Sequence, residues 1–113
     1  MVKYIPDQGD IVILNFDPQS GHEQKGRRPA VIVSNKIFNK YVGLTFACPI
    51  TNTKRNFPFH IRYNGENVSG YIMTEQLKSI DYNSRKIKFI EKIDEDTMDE
   101  ILGIVESIVE KTV

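Results

Sequence analysis

The segment NFDPQSGHEQKGRRPAVIVS, Asn15 to Ser34, gathers His22, Glu23, Gln24, Lys25, Arg27 and Arg28 between two apolar runs, and Pro29 ends the polar part. A second polar segment, TNTKRN, begins at Thr51 directly after ACPI and adds Lys54 and Arg55. A residue before proline is biased to extended backbone, so Arg28 is aimed from a fixed base where AVIVS enters the core. Thr51 stands at the mouth of the other loop, where a hydroxyl can bond a phosphate oxygen or a sugar hydroxyl. An arginine, a hydroxyl and an acid suit phosphodiester cleavage by the RNA's own 2′-hydroxyl. That reaction needs in-line geometry, proton transfer and donors for the charge on the phosphate, but neither a metal nor a protein nucleophile. Arg28 can donate two parallel hydrogen bonds to such a phosphate. A guanidinium is a poor base, so the proton must go to another group, Glu23 or His22. An imidazole's ordinary pKa of about 6.5 favours His22 on chemistry alone.

Composition restricts the alternatives. A chain of 113 residues, 40% hydrophobic and 27% charged, reads as one globular domain over residues 1–113. The apolar runs are strand length, and the N-terminal MVKYIPDQGD lacks the apolar stretch of a signal peptide, so a cytoplasmic protein without a membrane segment is expected. One cysteine, Cys48, excludes an internal disulfide, and two histidines leave no Cys/His metal spacing. Neither a metal nor a cofactor is expected, because Gly-rich phosphate loops and the Gly-x-Ser-x-Gly elbow are missing as well. The net charge is zero, yet residues 1–60 carry eight Lys and Arg against four Asp and Glu, while residues 61–113 carry seven against eleven. Basic surface therefore concentrates in the two loops. By composition alone both also read as ordinary solvated surface.

The elements that must hold these loops follow from periodicity. Ile11 to Phe16 reads as a strand, and Ala30 to Ser34 is apolar on both faces, as in a central strand or the wall of a small barrel. NKIFNKY is a connection with one helical turn, and Val42 to Ile50 forms another strand. Pro58 to Tyr63 and Val68 to Thr74 suggest a hairpin in which Asn64-Gly65 supplies positive φ. His60 falls on the surface of that hairpin. Phe57, Phe59 and Tyr63 could stack on unpaired bases, but their alternation favours core packing. EQLKSIDYNSRK stays ambiguous, and Lys86 to Lys92 alternates as a further strand. Met98, Ile101, Leu102, Val105, Ile108 and Val109 then form one stripe at helical spacing over about 94–111, with Asp94 as N-cap. Strands and loops thus fill about 9–92. The fold class is mostly β with α, a small antiparallel barrel with a C-terminal helix.

PDQGDIVILNFDPQSGHEQKGRRPAVIVS, CPITNTKRNFPF and EQLKSID, taken in order, resemble the MazF/PemK toxins of bacterial toxin–antitoxin systems over nearly the whole chain. The most specific element is Gly-x-Glu-Gln-x-Gly-x-Arg-Pro, met by Gly21, Glu23, Gln24, Gly26, Arg28 and Pro29. The resemblance implies an SH3-like barrel working as a homodimer. Its activity would be metal-independent, sequence-specific cleavage of single-stranded RNA to 2′,3′-cyclic phosphate and 5′-hydroxyl ends. It also implies that Arg28 and Thr51 are the catalytic pair. Glu23 either takes the proton or fixes Arg28 through an ion pair. Gln24, Arg27, Lys54 and Arg55 are candidate RNA contacts, and Gln76 and Lys78 either line the groove or finish the barrel. The implied partner is an antitoxin with an acidic, partly disordered segment, which can compete with a polyanion for one basic groove. A rival of the same fold is a toxin that binds DNA gyrase without catalysis, since fold does not settle function.

Overall fold

The computed structural model describes residues 3–16 and 26–112. Apolar side chains at both odd and even positions decide its centre. β1 (Asp10–Asn15), β2 (Arg27–Ile32) and β3 (Thr45–Thr51) run antiparallel in the middle of the sheet. One face buries Ile11, Val31, Cys48 and Ile50, and the other buries Val12, Leu14, Ala30, Ile32 and Ala47. Each buried aliphatic side chain is worth roughly 1.5–3 kcal/mol. The expectation that AVIVS is covered on both sides is met.

β4 (His60–Asn64), β5 (Ser69–Met73), β6 (Lys78–Ile80) and β7 (Lys88–Lys92) complete the described strands. The order is β4-β5-β3-β2-β1-β7, with β6 pairing β3, and every pairing is antiparallel. The edge strands β4 and β7 approach through side chains. The Tyr63 hydroxyl donates to Glu91, and Asn67 donates to Glu91 Oε1 from its backbone N–H at 2.8 Å and from Nδ2 at 3.0 Å. The sheet is thereby curled into an antiparallel half-barrel, as the sequence predicts. α2 (Glu95–Val109) lays Met98 and Ile101 into the cluster that holds Ile61, Tyr63 and Ile72. No helix among the described residues is long and apolar enough to cross a membrane.

Two carboxylates at this closure respond to acid. The Tyr63 hydroxyl, and after it Asn67, hold the Glu91 carboxyl below the usual carboxylate range. The hydroxyl and N–H of Thr97 do the same for Asp94, which caps α2 with its carboxylate accepting from Thr97 N at 2.9 Å. A lowered folded-state pKa contributes stability above the unfolded value, lost as pH falls through the folded one. The melting temperature is therefore expected to hold through neutral pH and to fall below about pH 4. A thermal-melt series should show a shallower fall in the Glu91→Gln, Asp94→Asn double variant.

Several expectations need correction. Lys36–Val42 forms α1, two turns rather than one, because the Asn35 side chain accepts from Phe38 N at 2.9 Å and Gly43 ends it at φ 79°. The next strand consequently begins at Thr45 rather than Val42. Arg28 and Pro29 are strand residues, Pro29 pairing with Ile13. EQLKSID divides into a 3₁₀ turn, Thr74–Gln76, and β6. Neither Asn64 nor Gly65 has positive φ. The loop closes with the Gly65 N–H donating to the Val68 carbonyl at 2.8 Å, and Gly65 is needed for space, since a Cβ there would strike Glu91 and Tyr63.

α1 is pinned by a buried amide. Asn39 Nδ2 donates to the carbonyls of Pro6 at 2.8 Å and Ser34 at 3.1 Å, while its Oδ1 accepts from the Ser34 hydroxyl. Asn39→Ala leaves these groups unsatisfied and is expected to cost about 2 kcal/mol in a urea titration.

Candidate active site

Strand register brings the ends of the two polar segments onto adjacent strands. Ala30 of β2 pairs with Pro49 of β3. Two residues beyond that pair on each strand stand Arg28 and Thr51, the last residue of β3. Beside them opens a cleft of about 920 Å³, walled by the 52–59 loop, the start of β4, the end of β5 and the 3₁₀ turn. Thr51 Oγ1 accepts from Thr53 N at 3.2 Å, which orients the hydroxyl and leaves its proton for donation. Gly70 of β5 lies against the Thr51 backbone.

Arg28, Thr51, Arg55 and Gln76 line this cleft. The other candidates are placed differently. Arg27 is exposed and donates from Nη1 to the Lys86 carbonyl at 2.7 Å, and Lys78 sets its ammonium 6.0 Å from the Phe16 ring centroid. Lys54 is exposed on the loop between two lining residues, Thr53 and Arg55. Glu23, Gln24 and His22 lie outside the described residues. Tyr63 is a core residue, whereas Phe57 stands 41% exposed at the cleft. Two guanidinium groups face one carboxylate, Glu75, among the lining side chains, which favours an anionic ligand.

His60 is not the surface residue the hairpin pattern suggests. Its side chain is 3% exposed, with Nε2 2.9 Å from Glu75 Oε2. Alternation in β4 shows that His60 turns away from buried Ile61 and Tyr63. It cannot show that the 52–59 loop covers that side, which is why sequence reasoning missed the pair. Cys48 behaves as expected of a buried apolar residue. Burial foremost, with the Glu75 charge second, pushes its thiol pKa up to about 12.

Residues 7–109 match the family model described as PemK-like, MazF-like toxin of type II toxin-antitoxin system. The chain belongs to that family. It is 36% identical over 83 residues to the Endoribonuclease toxin MazF of Escherichia coli strain K12, covering 74% of this chain and 75% of the relative. The crystal structure of MazF (Form-I) from Deinococcus radiodurans superposes with a TM-score of 0.90 at 36% identity, covering 96% of this chain and all of that one. The MazE-MazF (Form-II) structure from the same organism gives 0.83 at 31% identity, covering 97% of this chain and all of the matched chain.

Proposed function

We propose that this toxin is an endoribonuclease that cuts single-stranded RNA at a short sequence without a metal, leaving 2′,3′-cyclic phosphate and 5′-hydroxyl ends. The observation that carries this reading is the placement of Arg28 and Thr51 together in the lining of one cation-rich cleft. The family and the names of its relatives supply the reaction class. In the reaction the 2′-oxygen attacks phosphorus and the bond to the 5′-oxygen breaks. Arg28 spans two non-bridging oxygens and neutralises the charge that grows on them. The Thr51 hydroxyl donates to the phosphate and holds it in line. Arg55 and Gln76 extend the contact along the strand, and Arg27, Lys54 and Lys78 hold flanking phosphates electrostatically. Gln24 and Glu23 belong to the same sequence motif as Arg28, Glu23 either taking a proton or pairing with Arg28.

The toxin acts in the cytoplasm as a homodimer, for which the exposed Ile37 and Tyr41 of α1 offer apolar surface. An antitoxin with an acidic segment covers the same cleft; the MazE-MazF structure from Deinococcus radiodurans supports an antitoxin partner. The test is incubation of the purified protein with long mixed-sequence RNA in EDTA, followed by mapping of the 5′ ends. Discrete cuts are expected. Intact RNA from folded protein, with inhibition of gyrase instead, would transfer the reading to the non-catalytic rival.

A further inference from the structure

One pair at the cleft is not used by the chemistry above. Glu75 Oε2 lies 2.9 Å from His60 Nε2, while His60 Nδ1 is buried and meets no hydrogen-bond partner among the described residues. With the Nε2 proton donated to the carboxylate, neutral imidazole keeps a bare lone pair on Nδ1. A buried polar atom without a partner is costly and calls for an explanation. Among the described residues, the rest of the lining supplies none of the reaction's proton acceptors. Arg28 and Arg55 are guanidinium groups, and Thr51, Asn52, Thr53 and Gln76 are hydroxyls and amides.

We propose that His60 is a catalytic residue whose Nδ1 takes the proton of the attacking 2′-hydroxyl, and that Glu75 is the positioning residue that holds the imidazole. This rests on the ribonuclease reading and assigns proton transfer to this pair rather than to Glu23 or His22. As the bond from the 2′-oxygen to phosphorus forms, its proton passes to Nδ1. The phosphorus bond to the 5′-oxygen breaks, that oxygen takes a proton from water, and the imidazolium returns its proton to the hydroxide so formed. Glu75 balances the transient imidazolium charge. The pair forms two-thirds of a carboxylate–imidazole–hydroxyl relay, and the substrate brings the hydroxyl. Access requires a shift of the 52–59 loop, whose Phe57 ring meets the imidazole edge-on at 5.1 Å. An unpaired base stacking on Phe57 would supply the force for that shift.

The experiment uses the full chain, an RNA with a mapped cut site and the variants His60→Gln, His60→Gly and Glu75→Gln. His60→Gln is expected to slow cleavage by about 10²–10⁴-fold, yet to bind a 2′-O-methyl analogue as the wild type does. Free imidazole should restore cutting by His60→Gly, an effect that a merely structural role would not produce. The defect of His60→Gln should persist on RNA with sulfur in place of the 5′-bridging oxygen, because a better leaving group does not relieve a missing base. Should His60→Gly fail to fold, the volume-conserving His60→Gln decides on the leaving-group comparison alone. Glu75→Gln should slow cleavage less than His60→Gln. Wild-type rates in His60→Gln, absence of rescue in folded His60→Gly, or recovery on the sulfur substrate would each overturn the assignment. A wild type that cuts no RNA removes the ribonuclease reading together with this one, whereas a cutting wild type with an unimpaired His60→Gln removes this one only.

Discussion

Arg28→Ala is expected to lower RNA cleavage by about 10³-fold while leaving the melting temperature nearly unchanged. The two halves of that expectation have separate causes. Arg28 is partly exposed near the start of β2, and the aliphatic core begins two residues later at Ala30, so little packing is lost with its side chain. In the proposed reaction the phosphate, by contrast, loses its paired donors when charge develops. Arg28→Lys keeps the charge but not the planar fork, and should recover only part of the rate. Lys54→Ala should act otherwise, weakening binding across sequences and flattening its salt dependence while cleavage of saturated RNA persists. Single-turnover rates at saturating protein separate these outcomes.

Gly70→Ala is expected to destabilise the fold by about 2–3 kcal/mol. A Cβ at Gly70 would lie 2.6 Å from the Thr51 carbonyl oxygen and 3.0 Å from Ile50 Cγ2. The first of these is backbone, so β3 and β5 must move apart to admit the methyl group. That loss is a large share of a typical 5–15 kcal/mol, and a urea titration reads it directly. Thr51 sits at the point of displacement, so cleavage by the fraction still folded should drop as well; shifts near 1 Å in a reacting group cost about 10²-fold. Gly103→Ala on α2, where an added Cβ meets nothing within 4 Å, is the control and should stabilise slightly.

What sequence reveals here depends on whether the signal is local. The stripe of Met98, Ile101 and Val105 and the two-sided apolar run AVIVS carry their own periodicity, so α2 and the central strands were legible. Arg28 and Thr51 were legible as a motif, but their common cleft depends on the register of Ala30 with Pro49, a long-range pairing that no window of sequence contains. Asn64-Gly65 misled because the bond between Glu91 and Tyr63, far apart in the chain, explains the glycine there better than turn conformation does. His60 misled for a similar reason. Its burial comes from Glu75 and Phe57 on other elements. No local signal marked Asn39, whose amide bonds to Pro6 across the chain.

In the proposed reaction this cleft makes RNA cut itself through its own 2′-hydroxyl. The most direct measurement replaces that single hydroxyl with hydrogen at a mapped cut site and follows cleavage and binding together. The deoxy-substituted strand is expected to bind with near-normal affinity and stay intact, while neighbouring unsubstituted sites are still cut. Continued cleavage at the substituted position would mean that water or a protein group attacks the phosphate, and would contradict the proposed reaction.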